Sequence, residues 1–314
     1  MKLLKPISYG LAIGVTAAAL AMPVDKAEAR VIAYSSLQVT NFVVTSGAEI
    51  VSIPSVTVVN TTRSAANLDG ANDSDASNVN GAPGSAGVAD SDVRMSCVGA
   101  CGGIAQNDYG QVSAANPGWT FARGDAALIG SLLVPGGANG RTVAEAQLGN
   151  ANHNASAGGV IQSIANFTLE FTATQDGTIS LSFDVLGELI AYSDHSGGVA
   201  LTDFDFGIEL RDISGGNVLV PIGISSDNGE TDFSALNQSI SALGVESNSY
   251  LVDDTFHLTV SGLVSGNTYR LQITHNSDIS AGSVAVVSEP ASLGLLGLGL
   301  LGLGGLAARR RKAA

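Results

Sequence analysis

Residues 167–192, FTLEFTATQDGTISLSFDVLGELIAY, alternate apolar and polar side chains in two successive runs. Phe167, Leu169 and Phe171 occupy every second position, and after Asp176-Gly177 the pattern resumes at Ile179, Leu181 and Phe183. A period of two sends successive side chains to opposite faces of a strand, so this stretch buries one face as β-structure and has no helical stripe. The Asp-Gly pair between the runs predicts a hairpin. Downstream, ALTDFDFGIELRD and NVLVPIGI predict a second strand pair around Ser214-Gly215-Gly216. TFHLTVSGLVSGNTYRLQITHNSD predicts two more strands with a turn between them. Leu263 to Tyr269 has the spacing of a tyrosine corner, in which the phenol bonds upstream backbone where the chain crosses between sheets. At the front, 31–44 and 49–60 are rich in Val, Ile, Thr and Tyr, which favour strands. Together these features predict an all-β body, a β-sandwich of jelly-roll or immunoglobulin-like type.

Between the two strand-rich parts the composition shifts. Residues 64–165, with passages such as ANDSDASNVNGAPGSAGVADSD, are dominated by Ala, Gly, Asn, Ser and Asp. So little apolar surface offsets ordering entropy poorly, and the segment reads as a low-complexity loop region with one short helix over 141–149.

The two ends have a different character. Residues 1–29 begin with Lys2 and Lys5, run apolar from Ile7 to Ala21, and close on Ala27-Glu28-Ala29. A cationic start, a short apolar run and a small-x-small site make a secretory signal peptide cut before Arg30. The exported part, 30–288, then carries seven arginines against 25 acidic side chains, a net of −18. All four lysines, Lys2, Lys5, Lys26 and Lys312, lie outside it. A surface of that sign repels phosphate backbones, so no nucleic-acid partner is expected; it attracts divalent cations, which can bridge to acidic polysaccharide. Cys97 and Cys101 are the only cysteines, and in an oxidising compartment they are expected to close a small disulfide loop.

The chain closes with SEPASLGLLGLGLLGLGGLAARRRKAA. Residues 293–308 carry no charge, and as a helix they span about 24 Å against a bilayer core of about 30 Å. Arg309, Arg310, Arg311 and Lys312 then stop the span on the cytoplasmic side. Glu289-Pro290-Ala291-Ser292, a Leu/Gly-rich span and a terminal arginine cluster, in that order, resemble the PEP-CTERM sorting signal of Gram-negative bacteria. Ser288 stands where the usual Pro-Glu-Pro core has its first proline. The resemblance implies a body at 30–286, a sorting and anchor segment at 287–314, and a single transmembrane sorting helix. It implies recognition by an exosortase, a membrane-embedded cysteine transpeptidase-like enzyme, with cleavage near the motif. An intermediate anchored in the inner membrane would then yield a body at the cell surface or in the extracellular matrix. Members with this signal are commonly associated with exopolysaccharide and biofilm. The opening RVIAYSSLQVTNF at 30–42 is also similar to the start of a group of exosortase-dependent surface proteins.

Candidate chemistry within the body is scattered. Asp69, Asp73 and Asp75, the pair Asp203 and Asp205, and Asp253 with Asp254 are candidate calcium ligands, although no EF-hand spacing is present. The alternation Asp203-Phe204-Asp205-Phe206 reads equally as a half-exposed strand. Trp119 is the candidate aromatic platform for a sugar, and the alternative is an anchor under a loop. His153, His195, His257 and His275 are isolated, and Asp194-His195-Ser196 lacks an accompanying Gly-x-Ser-x-Gly elbow. No catalytic residue is singled out. The expectation is a non-enzymatic surface or matrix protein without a cofactor, calcium aside, with a carbohydrate-binding module as the alternative and a secreted hydrolase behind it.

Overall fold

The computed structural model describes residues 30–46, 57–81, 90–131, 137–149, 152–161, 167–220 and 233–284. The chain forms β1 (Val31–Ser46), β2 (Thr57–Leu68), β3 (Ala71–Gly81), β4 (Ser91–Asp92) and β5 (Ser96–Gly99). It continues through β6 (Phe121–Gly130), β7 (Ala138–Leu148), β8 (His153–Ile161), β9 (Phe167–Thr172) and β10 (Gly177–Ser193). β11 (Gly198–Asp212), β12 (Val218–Val220), β13 (Gln238–Leu243), β14 (Glu246–Leu263) and β15 (Thr268–Ser283) complete it, with a 3₁₀ turn at Phe233–Leu236. The first sheet runs β14-β10-β1-β7-β6-β4 with β5 also on β6; the second runs β12-β11-β15-β8-β2-β3, with β13 on β11 and β9 on β15 and β2. The body is therefore an all-β sandwich of two antiparallel sheets. Among the described residues no helix is long and apolar enough to cross a membrane, and the expected sorting helix at 293–308 lies outside them.

The interior has two unlike halves. One is filled by large side chains from both sheets: Leu37, Phe42, Leu181, Phe183 and Phe256 face Phe204, Phe206, Ile208 and Leu271. Phe183 stacks on Phe42 with centroids 4.6 Å apart and on Phe256 at 5.6 Å. The other half is built from alanine: Ala33, Ala122, Ala144 and Ala146 against Ala66, Ala155 and Ala157. Small side chains let the sheets approach closely. A Cβ at Gly124 would lie 2.2 Å from the Gly158 carbonyl oxygen and 2.6 Å from that of Ala65, so the position accepts only glycine.

This alanine-rich half corrects most of the loop expectation for 64–165, where β3, β6, β7 and β8 all fall, while 100–120 is loop as expected. Alternating Ala with polar residues is still a period of two, but alanine contributes so little apolar contrast that composition conceals it. The short helix expected at 141–149 is likewise the second half of β7, paired through Thr142, Val143 and Ala144 with β1 and β6. The hairpin expected at Asp176-Gly177 is also corrected. β9 pairs with β15 and β2, whereas β10 pairs with β1 and β14, so this turn carries the chain from one sheet to the other. Phe171 of β9 and Phe183 of β10 do lie in the same core. The β11–β12 pair forms as expected. So does the tyrosine corner: the Val264 N–H donates to the Tyr269 hydroxyl at 2.7 Å where β14 of the first sheet turns into β15 of the second.

Candidate functional site

The residues that follow and precede the two expected processing points meet at one end of the sandwich. The organiser is the turn between β10 and β11, Ser193-Asp194-His195-Ser196-Gly197-Gly198. The Arg30 N–H donates to Asp194 Oδ1 at 2.6 Å, and the Asp194 N–H donates back to the Arg30 carbonyl at 3.1 Å. Arg30 Nη2 donates to the Ser113 carbonyl at 2.7 Å and to Gln147 Oε1 at 3.2 Å. Three residues along the turn, the Gly197 carbonyl accepts the Val284 N–H at 3.1 Å. His195 Nε2 and the Ser283 hydroxyl are 2.9 Å apart. The turn is tight, because a Cβ at Gly198 would lie 2.0 Å from Ser193 Oγ.

Residues 286–312 match the family model described as PEP-CTERM protein-sorting motif. The chain carries a PEP-CTERM sorting signal. Val284, the last described residue, precedes that match by two positions. The PEP-CTERM signal implies export, a membrane-associated sorting step toward the cell surface, and processing by an exosortase. No curated protein and no solved structure matches the chain. Ala27 and Ala29 on one side, and Ser288, Glu289, Pro290, Ala291, Ser292, Arg309, Arg310, Arg311 and Lys312 on the other, lie outside the described residues.

In this PEP-CTERM protein the Asp194-His195-Ser196 triplet does not act as a unit, since His195 reaches Ser283 rather than Ser196. His195 Nδ1 is 3.6 Å from Asp194 Oδ1, beyond a hydrogen bond, and that oxygen already holds the Arg30 N–H. The Ser283 side chain is buried, with 1% of the residue exposed. The arrangement ties the two ends of the body together.

A second polar centre, which sequence reasoning missed, clamps loop 100–120 over the outer face of the first sheet. Arg123 of β6 and Glu145 of β7 are completely buried, with Arg123 Nε donating to Glu145 Oε2 at 2.9 Å. Arg123 also donates to the Asp108 and Gly110 carbonyls, at 2.6 and 2.5 Å. Glu145 accepts the Val112 and Ser113 N–H groups at 3.2 and 2.7 Å. Each charged nitrogen and oxygen of the pair thus has a partner, which is what makes a buried charge pair tolerable. The Tyr34 hydroxyl donates to the Tyr109 carbonyl at 2.7 Å beside it, and burial pushes both phenols above the usual tyrosine range. Trp119 belongs to the same loop: it lies half-buried, edge-on to Phe121, and its carbonyl accepts from Gln147 Nε2 at 2.8 Å. Cys97 and Cys101, at the loop's start, are joined by a disulfide.

The candidate calcium ligands are distributed among other duties. Asp69 accepts the Asn154 N–H at 2.8 Å and faces His153 Nδ1 at 2.6 Å, and these two bonds hold its carboxyl below the usual range. Asp73 takes both Arg94 nitrogens, at 2.8 and 2.6 Å, and that guanidinium lowers its carboxyl to about 2. Asp75 accepts the Arg94 N–H at 2.8 Å. Asp203 and Asp205 share the outer face of β11, with Phe204 and Phe206 in the core. Burial, then Asp278 across on β15, then Asp205, push the Asp203 carboxyl up to about 6. Asp253 and Asp254 lie exposed on β14. Among the described residues no group of three or more His, Cys, Asp or Glu side chains is arranged to hold a metal ion. His275 is buried and accompanies Thr142 and Ser277 between the sheets, Thr142 Oγ1 standing 2.9 Å from its Nε2 and 2.7 Å from Ser277 Oγ. Burial lowers His275 to about 3, so it is a neutral core residue.

Proposed function

We propose that the exported part, 30–288, is a non-enzymatic cargo, exported by a signal peptide, held briefly in the inner membrane by its tail, and delivered by an exosortase to the surface or matrix of a Gram-negative bacterium. There it associates with exopolysaccharide, divalent cations bridging its acidic surface to acidic chains. The observation that supports this reading is the sorting signal at 286–312 following a body whose first and last strands leave at one end. Both membrane-directed segments are then attached to a single pole of the sandwich, which keeps the remaining surface away from the bilayer during sorting. Intact mass and terminal peptide mapping of the protein purified from its native host test it. The reading expects a final residue near Ser288 or Glu289. A species that keeps Arg309 to Ala314 throughout would mean a permanent membrane anchor and would defeat delivery to the matrix.

A further inference from the structure

Removal of a signal peptide does more than shorten the chain, because it converts one backbone nitrogen into a charged group. Water adds its hydroxyl to the Ala29 carbonyl carbon, the C–N bond breaks, and the Arg30 nitrogen takes up two protons, one from that water and one given up by the new Ala29 carboxyl, leaving as an α-ammonium beside a carboxylate. Before the cut that nitrogen offers one neutral N–H; afterwards it offers three donors and a positive charge. The acceptor is already in place, Asp194 Oδ1 at 2.6 Å, held by the reciprocal bond from the Asp194 N–H to the Arg30 carbonyl. The Arg30 side chain is fixed independently by Ser113 and Gln147, so the nitrogen cannot swing away freely. The first residue of β1 lies between its neighbours, with Val31 opposite Ser193 of β10 and Leu148 of β7.

We infer that Asp194 is the receptor for the processed N-terminus, an ion pair with the Arg30 α-ammonium that signal-peptide cleavage completes. This rests on the reading that the leader is cut between Ala29 and Arg30. With donor and acceptor both charged, the bond is stronger than one from a neutral amide N–H. The carboxylate also lies on the turn that binds Val284 and, through His195, Ser283. Processing at the front of the body therefore stiffens the turn that holds Val284, two residues before the sorting signal.

Among the described residues, the other charged and titratable groups at this end are His195 beside Asp194, the Arg30 guanidinium, His153, which lies opposite Ser283 on β8 and is paired with Asp69, and two carboxylates engaged elsewhere. Glu246, opposite Ser193 on β14, accepts from the Leu243 N–H and Asn248, and Glu145 is committed to Arg123 and the loop. Asp194 is thus the carboxylate left to meet the ammonium. Its partner should titrate above the ordinary α-amine range of about 7.7–8.0. A group whose folded value is raised contributes stability that is complete below the unfolded value and is lost as pH rises through the folded one.

The lysine-free sequence from 30 to 288 makes this testable without ambiguity, since the α-amine is then the sole primary amine of the processed body. The full gene, leader and tail included, is expressed in a host that exports and processes it, as wild type, as Asp194→Asn, and with one glycine inserted between Ala29 and Arg30. N-terminal peptide mass is read first, then the rate of acylation of that peptide by an amine-reactive ester at pH 7.5, with and without urea. With Arg30 as first residue, the wild type should acylate about tenfold more slowly than either altered protein, corresponding to about one unit of raised titration. Urea should abolish the difference. The wild-type Tm should also fall more steeply than that of Asp194→Asn between pH 8 and 10. Equal acylation rates with Arg30 at the terminus would overturn the receptor while leaving the cleavage reading intact. A terminus elsewhere would overturn both. The glycine insertion keeps Asp194 and displaces the ammonium by one residue, so it decides the matter even if Asp194→Asn fails to fold.

Discussion

Asp203 shows how one residue can be read correctly by face and still hold chemistry that the pattern does not reveal. The alternation at 203–206 places both rings inside and both carboxyls outside, as the structure has it. The close approach of Asp278 is invisible in sequence, because it comes from antiparallel pairing of β11 with β15 across 75 residues. With its carboxyl raised to about 6, the folded protein holds this proton more tightly than the unfolded chain does. Ionised Asp203 therefore opposes folding, and its contribution improves as pH falls from above 6 toward 4, levelling off once both states are protonated. Asp203→Asn should raise Tm at pH 8 and converge with wild type near pH 4. The gain at pH 8 is about 1 kcal/mol, below the full value of the shift because the carboxyl keeps contact with water. Thermal melts of the two proteins across that range check it, and a constant offset at every pH would contradict the ionisation account.

At the level of elements, two Asp-Gly pairs divide what local sequence can and cannot settle. Asp69-Gly70 closes the β2–β3 hairpin, with φ of 51° and 84° and Leu68 opposite Ala71, the left-handed pair that a two-residue turn requires. In sequence its Asp69 is equally a candidate calcium ligand. Asp176-Gly177 has the same hairpin signature in sequence and instead crosses between sheets. The dipeptide is the same, and what differs is which strands lie beside the flanking segments, a long-range property. The tyrosine corner was legible because its bond spans only five residues. The Arg123–Glu145 pair was not, since two charges 22 residues apart gain meaning only when β6 and β7 pair and loop 100–120 covers them. Removing one partner leaves the other charge buried. Arg123→Met should cost about 3–5 kcal/mol, and Arg123→Met with Glu145→Met should recover much of that loss. Urea denaturation of the single and double variants measures both, while protease sensitivity within 100–120 should rise in the single variant. A single variant as stable as wild type would mean the loop is held by other contacts.

For the whole molecule, the decisive property is that the first and last described residues of a fifteen-stranded body, Arg30 and Val284, are bound at one turn. Residues 194 and 197 are separated by three peptide units, at most about 11 Å when extended. Arg30 is bound at the first and Val284 at the second. The ends can therefore be joined without disturbing either sheet. A glycine-serine linker of about eight residues, whose typical reach is about 15 Å, should connect Val284 to Arg30. The new termini belong at Gly102 and Gly103, which are exposed and have no atoms near a notional Cβ. Opening there spares the disulfide before it and the Asp108 to Ser113 contacts after it. The permuted body should unfold with a Tm within a few degrees of the unpermuted one, as expected when termini are close and the opening is an exposed loop. It would also lack an α-amine at Arg30, so its pH profile between 8 and 10 should resemble that of Asp194→Asn. Failure to fold would mean that the two ends do not share this pole. A folded permutant that kept the wild-type alkaline loss would instead assign that loss to a group other than the Arg30 nitrogen.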